Sequence, residues 1–246
     1  MSPVSTPRPR RRGRLFRRVA GVLAAVLATG ALASSTSDAD SRHDSLDLSS
    51  IAISSSAQPR VQDVSFDTER LHGRTVDANT SSAANAECDG CSATATTLGI
   101  VYVDKGRAAR LDNVATAWNS CTDCSTASVS VQVVIVRRAQ QVTANNRALA
   151  LNAVCQGCRA SAAAYQLVML DPKGKRLSGR DVQALREWVA AQAEAMVAGP
   201  ARQSLLRAAP NGSGAAPHQL DQLEQRVGST LGGATTLDRS GEVKTG

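Results

Sequence analysis

The chain has 246 residues, with Lys+Arg 28 against Asp+Glu 21 and a formal net charge of +7. Residues 1–33 hold seven Arg and no acid, so the rest carries 21 basic against 21 acidic residues and is neutral. Nucleic-acid binding needs a basic footprint. Residues 34–246 lack one, so no nucleic-acid partner is expected.

Residues 1–33 read as a signal peptide. Arg8, Arg10, Arg11, Arg12, Arg14, Arg17 and Arg18 precede an uncharged run over 19–33 that closes on Ala31-Leu32-Ala33, a small-x-small cleavage pattern. The run has 15 residues, short for a bilayer span of about 20, so cleavage before Ser34 is expected rather than anchoring. Export through the Sec route is the first reading. Arg11-Arg12-Gly13-Arg14-Leu15-Phe16 also fits a loose twin-arginine pattern, the alternative route. No later segment is apolar enough to span, so no membrane span is expected after cleavage. The destination is the cell envelope or the medium.

Residues 34–60 are rich in Ser, Asp and Ala. That composition buries too little apolar area to offset ordering entropy, and a disordered linker is expected. A threefold repeat follows. Its first half is N-x-[AS]-x-A-x-N, at Asn79–Asn85, Asn113–Asn119 and Asn146–Asn152. Its second is C-x-x-C, at Cys88/Cys91, Cys121/Cys124 and Cys155/Cys158. Gly99, Gln132 and Gln166 sit at one shared position beyond it. Self-similarity at such a period marks a repeat architecture.

Inside the repeat the period is two. Thr126, Ser128, Ser130 and Gln132 oppose Ala127, Val129, Val131 and Val133. Such alternation predicts strands. No charge interrupts 125–136, so both faces should be covered, and the uniformly small face admits a close-approaching layer. Each repeat reads as a strand, a C-x-x-C turn and a longer strand, a β-hairpin. Three give a mainly β, mainly antiparallel domain over 61–171, sandwich- or solenoid-like, with an edge strand over 61–66. The alternative is an α/β repeat, because Arg147–Asn152 also suits a helix. The core must be built from Val, Leu, Ile and Ala, since residues 34–246 hold only Phe66, Tyr102, Trp118, Tyr165 and Trp188 as aromatics.

Asp171-Pro172-Lys173-Gly174 reads as a turn. A docking helix is then expected within 172–199, with Ser178 as N-cap and Asp181 at N3. Its stripe is Val182, Leu185, Val189, Ala193 and Met196, with Trp188 beside it, and Gly199-Pro200 stops it. Residues 200–246 read as a largely disordered tail with one short helix around 219–227.

The six cysteines admit three readings. Residues i and i+3 of a β-turn lie within disulfide reach, and export favours disulfides, so Cys88–Cys91, Cys121–Cys124 and Cys155–Cys158 form structural bonds in the first. C-x-x-C on a turn is also a zinc knuckle, but three knuckles leave two thiols over. Thiol-redox catalysis is the third. It wants a helix N-terminus to stabilise the thiolate, whereas each pair precedes a strand and Glu87, Asp89 and Asp123 oppose the thiolate.

Other chemistry is thinly signalled. His43, His72 and His218 sit near no nucleophile in sequence, and H-E-x-x-H, G-x-S-x-G and phosphate-loop patterns are missing. Gln132 and Gln166 read as stacked amides between repeats rather than ligand contacts. No catalytic residue, cofactor or metal is therefore assigned.

The string N-x-A-x-A-x-N, C-x-x-C, small-x-small-x-Q-V-V resembles a group of exported actinobacterial repeat proteins of no assigned activity. Related repeats are appended to membrane proteins similar to peptide zinc metalloproteases. The likeness covers about 79–170, and the first copy departs from it at Ser81 and Gly99. It implies an actinobacterial source and a role beside exported peptides; the protease activity does not carry over, since its zinc motif is missing. The leading expectation is a non-catalytic, disulfide-stabilised β-repeat module for binding or structure at the envelope, with an unknown envelope or secreted partner. The alternative is a thiol-redox or metal-binding envelope protein.

Overall fold

The computed structural model describes residues 43–198 and 215–246. The expected signal peptide and its cleavage site lie outside these residues. The fold is mainly β, a solenoid of four coils. Each coil contributes one strand to each of two facing sheets. Sheet 1 holds β1 (His43–Ser54), β3 (Thr75–Ala86), β5 (Gly106–Asn119) and β7 (Ala139–Asn152). Sheet 2 holds β2 (Arg60–Leu71), β4 (Ser92–Val103), β6 (Ser125–Val136) and β8 (Arg159–Leu170), closed by β9 (Thr235–Thr245).

The strand–turn–strand units are present, but not as hairpins. The two strands of a unit lie in opposite sheets. Each hydrogen-bonds instead, in parallel, to its own copy one coil away. The offset runs from 32 residues (His43 to Thr75) to 34 (Ser125 to Arg159). Among the strand pairs of the described residues, only β8–β9 is antiparallel. A hairpin and a solenoid corner share the same local pattern. What separates them is whether a strand's best row-by-row match lies across its turn or one period away, and here every row matches one period away.

Three further differences follow. Residues 43–54, inside the expected linker, form β1. Leu46, Ser50, Ala52 and Ser54 are buried there in strict alternation. In the expected loose tail, α2 (Ala215–Leu231) and β9 are ordered. The helix near 219–227 is thus present but longer, and Ala216, Leu220, Leu223, Val227 and Leu231 form its buried stripe. The third difference is the first copy's frame. Thr80, not Asn79, pairs with Asn113, and Ala86, not Asn85, pairs with Asn119. A one-residue slip in a strand exchanges its two faces. Asn79 and Asn85 therefore point outward, while Asn113 and Asn119 are fully buried.

The interior has zones along the strands. Leu46, Leu71, Val76, Val101, Leu111, Val134 and Val168 fill one end. Ala52, Ala84, Ala95, Ala115, Ala117 and Ala162 fill the other. Between them lies a band of buried amides and hydroxyls. Among the described residues, no aromatic ring enters this interior.

Helix α1 (Gly179–Val197) starts as expected. The Ser178 hydroxyl accepts from the Asp181 N–H, and the Asp181 carboxylate accepts from the Ser178 N–H. Leu185, Trp188, Val189, Ala193 and Met196 are its buried stripe. With α2 it covers the outer face of sheet 2, where Leu98, Ile100, Val129, Val131, Val133 and Leu167 point. Trp188 lies against Tyr165, ring centroids 5.8 Å apart, and its indole N–H donates to Gln222 at 3.1 Å. Burial pushes the Tyr165 phenol far above its ordinary range. Strands β4, β6 and β8 are thus largely covered on both sides, as the uncharged sequence of β6 predicts, while the charged edge strand β2 stays mostly exposed. Among the described residues, no helix is long and apolar enough to cross a membrane.

Candidate functional site: the stacked cysteine corner

The three C-x-x-C motifs are successive floors of one corner. Each is a tight turn, and the third residue of each motif adopts the left-handed conformation: Gly90 at φ 70°, Asp123 at 54° and Gly157 at 69°. Glycine enters that region freely and aspartate is among the few others that do so at modest cost, which accounts for the residue types there. In the first motif the turn is closed by the Cys91 N–H donating to the Cys88 carbonyl at 3.0 Å.

The floors are bonded to one another. The Gly90 N–H donates to the Thr122 carbonyl, and the Asp123 N–H to the Gln156 carbonyl, each at 2.8 Å. The Thr122 N–H donates to the Asp89 carboxylate at 2.7 Å. Approach is so close at the third floor that a Cβ on Gly157 would lie 2.0 Å from the Asp123 carboxylate. The first coil turns the same corner without cysteine, through paired backbone bonds between Ser55 and Gln58 at 3.0 Å.

Within each motif the two cysteines lie at disulfide distance. Cα–Cα separations are 5.3 Å for Cys88/Cys91, 6.0 Å for Cys121/Cys124 and 5.9 Å for Cys155/Cys158, inside the range such bonds adopt. Cys91, Cys121 and Cys124 are buried, and the others are partly so. Neighbouring floors touch: the Cys124 N–H approaches the Cys158 sulfur at 3.4 Å. The third copy carries one extra residue before its first cysteine. It is absorbed at Val154, fully exposed with φ 51°.

No histidine joins this corner. His43 sits on the outer face of sheet 1, 2.6 Å from Asp77. His72 lies beside Asp104 at 3.4 Å, and His218 on α2 near Gln222. Each pair opens into a strand, so no helix dipole bears on the sulfurs.

The other repeated residues lie in the interior band. The Gln166 amide donates to the Gln132 carbonyl oxygen at 2.7 Å, so the two glutamines stack between coils as their spacing predicts. Gln132 in turn donates to the Ala78 carbonyl at 2.9 Å, the Thr80 hydroxyl at 3.1 Å and the Asp112 carbonyl at 3.2 Å. Gly99 holds the same row one coil earlier, where a Cβ would meet the Thr80 hydroxyl at 2.7 Å. Asparagine stacks run alongside, Asn113 to Asn146 at 2.7 Å and Asn119 to Asn152 at 2.8 Å. Asn113 also crosses to sheet 2, donating to the Ser130 and Tyr165 carbonyls and accepting from the Ser130 hydroxyl. The donor groups of these amides join coils and sheets, which is why the sequence keeps them at fixed spacing; among the described residues the Asn119 Oδ1 and Gln166 Oε1 accept no bond.

Sequence reasoning missed the carboxylates that close the solenoid ends. Asp63 in the first coil accepts from the Ile51 N–H at 2.6 Å, and Glu242 on β9 accepts from the Ala148 N–H at 2.8 Å. Each meets an amide on an edge strand of sheet 1, the kind of free edge that invites unwanted strand pairing. An inward acid in a strand of otherwise solenoid-like parity, as at Asp63, is the signal that could have found it.

Comparison adds no relative. The chain matches no protein-family model, no curated protein and no solved structure. What can be said of function therefore rests on the corner and the surfaces themselves.

Proposed function

We propose that the chain is a non-catalytic, exported repeat module, its three cysteine pairs closed as structural disulfides, serving in binding or in structure at the cell envelope. The observation that carries this reading is the corner itself. Each pair lies at disulfide distance within a turn that is hydrogen-bonded to the next turn, with Cys91, Cys121 and Cys124 buried. A loop this small lowers the entropy of the unfolded chain by the equivalent of about 2 kcal/mol per bond. A solenoid gains from that, because its coils close only through long-range contacts. The basic, apolar and small-x-small order of residues 1–33 supports export, and the repeat's resemblance to exported actinobacterial proteins supports a place beside other exported proteins or peptides.

A second reading has one observation in its favour. Cys155 and Cys158 are only partly buried and terminate the cysteine stack. A thiol-redox or metal-binding role would use that pair first. Titration of free thiols on the native protein, with bound zinc measured on the same sample, separates the readings. No thiol and no zinc is the result expected. Two or more titrating thiols, or stoichiometric zinc, would overturn the structural reading.

A further inference from the structure

The outer face of sheet 1 is bare among the described residues, and it is not uniformly polar. The parallel register places its outward side chains in straight rows across the four coils. Toward the cysteine corner two adjacent rows are apolar-rich: Ile51, Ala83, Thr116 and Leu149, then Ile53, Asn85, Trp118 and Leu151. Ile51 is 58 % exposed, Leu149 56 % and Trp118 45 %. Large side chains at such exposure on one flat face form a patch of the kind that marks an interface.

We propose that this face binds the same face of a second copy, related by a two-fold axis lying parallel to the strands. The face is complementary to itself under this operation. Such an axis keeps each row opposite its own row and reverses the order of the coils, so coil 1 faces coil 4 and coil 2 faces coil 3. Ile51 then meets Leu149 of the other copy, and Ile53 meets Leu151. In the polar half Asp77 meets Arg110, Asp47 meets Asn145, Asn79 meets Asp112 and Ser49 meets Arg147. No two like charges are directly opposed. Each isologous contact occurs twice, as closed two-fold assembly requires.

Three observations favour this occupant over others. Among the described residues, no acid pairs with Arg110, although Asp77 is its lateral neighbour in the sheet. Trp118 sits in one of the two central coils, so both copies of it fall beside the axis, where interface hot spots concentrate. Strands about 4.8 Å apart and about 3.3 Å per residue give the four-strand face roughly 750 Å², close to the roughly 800 Å² per partner of a standard stable interface. The other face-to-face two-fold axis, along the coil stack, would press Ile53 against His43 and lose every one of these matches. The inference does not depend on where the chain works or on the state of its cysteines.

Sedimentation equilibrium of the purified protein tests it, with circular dichroism as a check that each variant folds. The wild type is expected to dimerise in the micromolar range. Asp77→Arg and Arg110→Asp should each weaken the dimer at least tenfold, since each opposes like charges twice. The double variant exchanges the pair and should return to within about threefold of wild type. Leu149→Asp provides a route independent of those charges and should leave a folded monomer. A wild type that stays monomeric at 100-fold higher concentration overturns the proposal. So does a dimer that Leu149→Asp leaves intact, or a charge exchange no better than its single variants.

Discussion

The two sheets are built from the same repeats and enclose the same interior, yet their outer faces differ in kind. Sheet 2 presents Leu98, Ile100, Val129, Val131, Val133 and Leu167, and two helices cover them. Sheet 1 presents Asp47, Asn79, Asp112 and Asn145 in one row, with large apolar groups only near the cysteine corner. The backbone is indifferent: in both sheets the coil strands form parallel ladders of comparable strand length. Outer-face composition alone decides which side receives the helical layer. The amide band and the cysteine corner belong to both sheets and hold them in mutual register.

The largest effect should come from breaking the covered face. Val131 is fully buried beneath the helices. Val131→Asp would bury an unpaired carboxylate at a cost of about 4 kcal/mol or more, and urea titration should show the protein largely unfolded. Leu149→Asp on the bare face should change the stability of the single copy by less than about 0.5 kcal/mol, measured at high dilution. Comparable losses at both sites would mean that sheet 1 is also covered.

The next effect sharpens what joins the sheets. Gln132→Leu removes the two N–H donors that three acceptors share and strands the Gln166 amide, so about 3 kcal/mol should be lost. Gln166→Leu breaks one bond, and its own Oε1 already has no partner among the described residues. Its loss should be about 1 kcal/mol, and chemical denaturation of both variants measures the ratio. Equal losses would mean the stack contributes nothing beyond burial.

At the corner, the Cys121→Ala, Cys124→Ala double variant should lose about 2 kcal/mol, with the melting temperature falling by several degrees and the fold retained. The smallest effect concerns the capped edge. The Lys244 ammonium, and then the Ala148 N–H, hold the Glu242 carboxyl below the ordinary carboxylate range. A lowered folded value makes its contribution complete above the unfolded value of about 4.3 and lost as pH falls through the folded one. Glu242→Gln should therefore cost less than about 1 kcal/mol at pH 7 and nothing at pH 2, in melts followed at both pH values.

Much of this was legible in the sequence, and the misses share a cause. Alternation marked β6 and β8 and foretold that both their faces are covered. Ser178 and Asp181 marked the start of α1, and the spacing of Gln132 and Gln166 marked their stack. The corner turns were visible as C-x-x-C. Hidden features lacked a local apolar signal. β1 keeps its parity with Ser50, Ala52 and Ser54, which by composition read as linker. β9 carries only Leu237 and Val243 as large apolar groups and is held by pairing with β8. The frame slip at Asn79 and Asn85 arose because surface asparagines stand one residue from the positions that Asn113 and Asn119 occupy inside. Pairing partners were invisible for a similar reason: a strand's local pattern says which face is buried, not which strand lies beside it.

The central claim is that the stacked corner is a set of closed, local disulfides holding a binding or structural module, rather than a set of working thiols. Non-reducing peptide mapping of the native protein tests it most directly. Each of the three C-x-x-C peptides should be recovered unlinked to the others, lighter by two hydrogens than its reduced form, with no cysteine open to alkylation. Six alkylated cysteines, or peptides joining Cys88 to Cys121 or Cys124 to Cys158, would contradict it.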